Sequence, residues 1–203
     1  MIIEITPEGV TNFPNIDKDQ SPDNIKIFLA GTIDSGDSED WQNKLVTELA
    51  LYNWDPSSEE DSGFDYALGA DEDEDIIIFN PRRENWNKRA TERDVEEQIK
   101  WEQKHLDSAD FIVMVLKDDS KSPISLLELG LYGPSGKMLV CCTEKFYRFT
   151  NIRMTCEKYG IELLETNNIK DISVRISEIF SELIVKNNYI DIDKVSQFLD
   201  LTY

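Results

Sequence analysis

Two glutamates stand beside apolar residues at helical spacing. Ile124, Leu127 and Leu131 recur at i, i+3 and i+7, and Glu128 falls four residues after Ile124. In the preceding helical stretch Val95, Ile99 and Leu106 repeat the pattern, with Glu102 three residues after Ile99. A carboxylate turned towards a packed face loses its hydration, which raises its pKa by roughly 3–5 units at complete burial, so the placement needs a compensating reason. One reading is structural: Glu128 closes a Ser125-x-x-Glu128 capping box or pairs with a cation at the edge of the stripe, and Glu102 is an edge residue in a salt bridge. The other is chemical. Two carboxylates directed from two helices into one cleft suit the glycosidic bond, where one attacks as nucleophile and a second group manages protons.

Other chemistries fall away by elimination. His105 is the sole histidine, no pair of cysteines has metal-ligand spacing, and neither Gly-x-Ser-x-Gly nor Gly-x-x-x-x-Gly-Lys occurs. A zinc site, a Ser/His/Asp triad and a phosphate-cradling loop are therefore not expected, and no cofactor is implied. Cys141 and Cys142 are adjacent inside an apolar run, which reads as buried, reduced thiols. Arg82 and Arg83 follow an apolar run in an otherwise acidic chain; they form either a phosphate clamp or ion pairs with the acidic stretch from Glu59 to Asp75. Trp86 and Trp101 either stack on a base or pack in the interior.

The 203 residues carry 21 Lys plus Arg against 41 Asp plus Glu, a formal charge of −20. Such a surface repels phosphate polymers and anionic lipid, so nucleic acid and membranes are not expected partners. No apolar run approaches the roughly 20 residues of a spanning helix, and Met1-Ile2-Ile3-Glu4 lacks a basic leader, which points to the cytoplasm.

The elements that must position these residues alternate. Apolar runs at Ile25–Ala30, Ile76–Phe79, Phe111–Leu116, Met138–Cys142 and Ile161–Leu164 read as buried strands. Between them lie helical patterns. One follows Ser38-Glu39-Asp40 and runs to about Tyr52; another opens at an Asp94/Glu97 capping box and runs through Leu106. A third has Ser122 as N-cap with Pro123 at its first position and runs to about Tyr132, ended by Gly133-Pro134-Ser135-Gly136. Two more cover Asn151–Lys158 and Asp171 to about Lys186. This order predicts an α/β fold, a doubly wound, flavodoxin- or Rossmann-like parallel five-stranded sheet in the order 2-1-3-4-5 with helices on both faces. Ligands then bind beyond the carboxyl ends of strands one and three, at Gly31-Thr32 and the helix after Leu116. Residues 1–24 read as an N-terminal extension, 25–188 as the domain and 189–203 as an apolar tail. Residues 55–75 read as an acidic surface loop whose Asp71–Asp75 run lacks the spacing of a calcium loop.

Several segments in order resemble the nucleoside 2-deoxyribosyltransferase family, closest to its divergent deoxyribosyltransferase-like branch. They are Ile27-Phe28-Leu29-Ala30-Gly31-Thr32-Ile33 with Asp40-Trp41-Gln42, Asn80-Pro81-Arg82-Arg83, Gln98-Ile99-Lys100-Trp101-Glu102, Leu106 with Ala109-Asp110, and Ser122-Pro123-Ile124-Ser125-Leu126-Leu127-Glu128-Leu129-Gly130. The resemblance implies that Glu128, in Glu128-Leu129-Gly130, attacks the sugar's anomeric carbon, and that Glu102 assists the base where the family carries an aspartate. A second family acid falls near Ser122. The resemblance further implies a nucleoside or nucleotide and a free base as partners, base exchange or hydrolysis as the reaction, and a homo-oligomer. Gly31, Thr32, Arg82, Arg83, Trp101, Ser122 and Ser125 are the expected substrate contacts. A nucleotide-binding regulatory protein without turnover is the alternative on the same fold.

Overall fold

Six parallel strands and one short antiparallel strand form a single sheet in the computed structural model, which describes residues 2–10, 25–34, 38–52, 76–83 and 90–187. In chain order the elements are β1 (Ile2–Thr6), β2 (Gly9–Val10), β3 (Ile25–Gly31), α1 (Trp41–Tyr52), β4 (Ile76–Phe79), α2 (Glu92–Ser108), β5 (Phe111–Leu116), α3 (Pro123–Tyr132), β6 (Met138–Cys142), α4 (Phe149–Tyr159), β7 (Glu162–Leu164) and α5 (Ile169–Asn187). The acidic stretch 55–75, Trp86 and the tail 189–203 lie outside the described residues, as does most of the lead-in before Ile25.

The sheet runs β2-β1-β4-β3-β5-β6-β7. The five strands expected from the apolar runs are β3 to β7, and their order is the expected 2-1-3-4-5. Two strands extend it. β1 pairs in parallel with β4, Ile2 opposite Ile76 and Ile5 opposite Phe79, and turns back through β2. This extension of the expected sheet escapes a reading by hydrophobicity because Glu4 interrupts a five-residue run. That carboxylate is nevertheless buried, accepting a hydrogen bond from Asn80 Nδ2 at 2.7 Å.

Side chains of each central strand alternate between two cores, as a pleated strand covered on both faces requires. Ile25, Ile27 and Leu29 of β3 and Phe111, Val113 and Val115 of β5 meet α1 and α5. Phe28 and Ala30, with Ile112, Met114 and Leu116, face α2, α3 and α4. Cys141 and Cys142 fall on opposite faces, and all three cysteines are buried and free. Among the described residues no helix is long and apolar enough to cross a membrane.

Two local expectations are corrected. α2 opens at Thr91, not at Asp94: Asp94 is the third helical residue and completes a capping box with the Thr91 hydroxyl and backbone. The stripe Ile124, Leu127 and Leu131 does not face the core, being 60%, 59% and 61% exposed, and Val95 and Ile99 of α2 are exposed too. α3 is anchored instead through Leu129 and Ser125, because its N-terminus is drawn against the end of β3 by hydroxyl hydrogen bonds.

Candidate active site

The carboxyl ends of β3 and β5 meet at unusually close range. Gly31 has φ +131°, and a Cβ there would stand 2.1 Å from the Val115 carbonyl oxygen, so only glycine fits. Thr32 N–H donates to that oxygen at 2.9 Å, and the Gly31 carbonyl accepts from the Ser125 hydroxyl at 2.8 Å. Ser122 Oγ lies 2.6 Å from Thr32 Oγ1. Ser122, Ser125 and Glu128 are spaced by three along α3, so anchoring the first two on β3 turns the third over the same edge.

A cavity of about 370 Å³ opens there, with Phe28, Ala30 and Gly31 as floor, Gln98, Ile99 and Glu102 of α2 as one wall, and Ser122, Ser125 and Glu128 of α3 as the other. Both glutamates thus enter one space. Neither caps a helix: Ser125 is spent on Gly31, and no described residue donates a hydrogen bond to Glu128.

Their electrostatics differ. Burial pushes the Glu128 carboxyl up to about 8, and the Glu102 charge adds to the shift. Burial also raises Glu102, opposed by a hydrogen bond from Gln98 and by the nearby charge of Arg83. Gln98 is the junction. Its Nε2 donates to Glu102 Oε1 and to the Pro81 carbonyl, both at 2.9 Å, and its Oε1 accepts from Arg83 Nε at 2.5 Å. Of the two carboxyls, Glu128 is therefore the one that holds its proton more tightly.

The remaining expected contacts divide. Gly31, Ser122 and Ser125 line the cavity, with Thr32 directly behind them. Arg82 does not line it. Its guanidinium donates to the Ser38 and Glu39 carbonyls at 2.6 and 3.2 Å and lies 3.7 Å from Asp40, pinning the segment before α1. Arg83 is held on Gln98, behind the wall. Trp101, partly buried, packs against the second core beside Phe28 and Phe79, and His105 stacks on it at 4.1 Å with Nδ1 2.6 Å from the Trp101 carbonyl. The tryptophan is a packing residue because Glu102, not its neighbour, is turned into the cleft.

Gln98 and Asp34 were not singled out as site residues from the sequence. Gln98 precedes Glu102 by one helical turn inside a motif already conspicuous, which is a usable signal. Asp34 had none, since its approach depends on a left-handed backbone, φ 48°.

A search of the curated proteins finds no match. The family described as nucleoside 2-deoxyribosyltransferase like is matched over residues 24–146, a span that holds β3, β4, β5 and both glutamates. That match covers well over half of the chain, which belongs to the nucleoside 2-deoxyribosyltransferase-like family.

Proposed function

We propose that the protein breaks and re-forms the N-glycosidic bond of a nucleoside through a sugar ester on Glu128, with Glu102 carrying the proton of the base. A Glu128 oxygen attacks the anomeric carbon, the carbon–nitrogen bond breaks, and its electron pair leaves on the base nitrogen, which takes a proton from Glu102. A second base reverses the steps: Glu102 accepts its N–H proton, the nitrogen attacks, and the ester carbon–oxygen bond returns its electrons to Glu128. Water in place of that base gives hydrolysis.

The observation that carries this reading is the pair of coupled carboxylates on facing helices in one cavity. One proton kept between the two carboxyls is what the first step needs, an acid beside a nucleophile. Glu128 holds the proton more tightly, so turnover begins by moving it to Glu102, and positive charge developing at the anomeric carbon stabilises the Glu128 anion left behind. Among the described residues none donates a hydrogen bond to Glu128 that would compete with the substrate for its lone pairs.

The exposed apolar residues Val95, Ile99 and Ile124 rim the cavity and continue into Leu127 and Leu131. Contiguous apolar surface beside a site supports a homo-oligomer in which a second copy covers this rim.

The test is Glu128→Gln, which keeps shape and cannot form the ester. Purified wild type incubated with 2′-deoxynucleosides, with and without a second free base, should release or exchange base. Folded Glu128→Gln should bind the same nucleosides and do neither. Near-normal turnover by the variant overturns the mechanism.

A further inference from the structure

Asp34 lines the same cavity as the two glutamates, and the mechanism above gives it no task. Its carboxylate terminates a chain of three hydroxyls. Ser120 Oγ donates to Asp34 Oδ1 at 2.8 Å, Ser122 Oγ lies 2.9 Å from Ser120 Oγ, and Thr32 Oγ1 lies 2.6 Å from Ser122 Oγ. Counting hydrogens orients the chain. A carboxylate only accepts, so the single Ser120 hydrogen goes to Asp34; Ser122 then gives its hydrogen to Ser120, and Thr32 gives its own to Ser122. The Lys117 N–H feeds Thr32 Oγ1 at 3.0 Å, and the Ser122 N–H feeds Ser120 Oγ at 3.0 Å. Every hydroxyl hydrogen is spent inside the chain. This leaves Asp34 Oδ2, on an exposed residue that lines the cavity, as an acceptor to which no described residue donates.

The backbone is bent to put it there. Asp34 and Ser122 have φ of 48° and 40°, the two non-glycine residues in the left-handed region among those described, and both line the cavity. Such conformations cost on the order of 1–3 kcal/mol each and persist where surrounding bonds over-determine them, as this chain does. Along α3, Ser122 and Glu128 are separated by six residues, about 9 Å at 1.5 Å per residue, so Asp34, tied to the Ser122 end, stands apart from Glu128. Three carboxylates line the cavity, and no Lys or Arg does among the described residues.

We propose that Asp34 accepts a hydrogen bond from a free sugar hydroxyl remote from the anomeric carbon, and that its charge bars a phosphate from that place, making the substrate an unphosphorylated nucleoside. The inference rests on the nucleoside reading of this cavity.

Titration calorimetry on the full chain carrying Glu128→Gln, which cannot consume its ligand, separates the two. The probes are 2′-deoxynucleosides and their 3′- and 5′-monophosphates. The parent should bind the nucleoside at least tenfold more tightly than one of its monophosphates. Adding Asp34→Asn keeps an oxygen for Ser120 and removes the charge; adding Asp34→Gly suits the left-handed backbone and removes the carboxylate. Each should narrow the gap about tenfold or more. Equal binding of nucleoside and both monophosphates by the parent, or an unchanged gap in the variant that stays folded, overturns the assignment of Asp34. If nucleosides bind with this dependence while wild type releases no base, the Asp34 assignment stands and the mechanism fails. If no nucleoside binds, both fail.

Discussion

Gln98 holds Glu102: its amide nitrogen donates to Glu102 Oε1 at 2.9 Å, and the same side chain is clamped by Arg83 and the Pro81 carbonyl. The bond favours the ionised form of Glu102 against its burial. Gln98→Leu removes that support, so the Glu102 pKa rises further and the acid limb of kcat/KM moves to higher pH. On that limb, at a fixed pH below the Glu102 pKa of both proteins, kcat/KM should fall roughly tenfold, the effect of about 1.4 kcal/mol. An unmoved acid limb in a folded variant would show that Gln98 does not act on Glu102.

The shared proton sets the whole pH profile. Catalysis needs the pair singly protonated, so kcat/KM should rise as Glu102 ionises, above the ordinary glutamate range of about 4.5, and fall again above about 8 as Glu128 loses its proton. A plateau persisting above pH 9 would exclude a proton held by the pair. The same raised pKa has a stability counterpart: the folded state binds the Glu128 proton more tightly than the unfolded chain, so stability present below about 4.5 is lost as pH rises through about 8. Thermal melts from pH 5 to 8 should show wild type losing ground to Glu128→Gln, whose uncharged amide does not titrate.

Arg82 secures a loop. Arg82→Ala abandons the Ser38 and Glu39 carbonyls and should cost about 1.5–3 kcal/mol of stability in urea unfolding, typical for hydrogen bonds from a charged group. Nucleoside and monophosphate binding should change equally. A loss confined to the monophosphate would return Arg82 to the role of phosphate clamp.

The strands were legible because β3, β4, β5 and β6 are nearly unbroken apolar runs, and a parallel sheet covered on both faces demands such runs. α3 shows where hydrophobicity misleads. Ile124, Leu127 and Leu131 have the period of a buried face, yet the face that packs carries Ser125 and Leu129. Periodicity reports that one side of a helix is apolar; it does not report whether the chain itself covers that side. Glu128 was legible through the resemblance carried by Glu128-Leu129-Gly130; the stripe that also marked it does not pack, and the anchoring of Ser122 and Ser125 on β3 is what turns it over the sheet edge. Arg82, Trp101 and Asp34 were not, because their directions follow from loop geometry and from packing between distant segments.

The exposed stripe carries its own test. Leu127→Asp with Leu131→Lys places charges on surface that a second copy would desolvate, so the mass in solution should fall to that of a 23.5 kDa monomer by light scattering, with the fold intact by circular dichroism. Wild type already monomeric at micromolar concentration, or a variant that keeps its assembly, would remove this face from consideration.

Gly31→Ala tests the close approach of β3 and β5. The added methyl meets Val115 backbone at 2.1 Å on a φ of +131°, so neither a rotamer change nor a side-chain shift relieves it. Stability should drop by at least about 3 kcal/mol in chemical unfolding. A variant as stable as wild type would mean that the two strand ends separate readily.

β1 has a consequence for how the chain reaches this state. Ile2 pairs with Ile76, and β4 in turn lies between β1 and β3. A ribosome releases β1 long before β4, and a loop of that length must close before the pairing yields any return. β1, made before β4, is therefore fixed late. Until then β4 presents an unpaired edge of Ile76, Ile77, Ile78 and Phe79, which is where a stalled or crowded folding reaction would pair with the wrong strand.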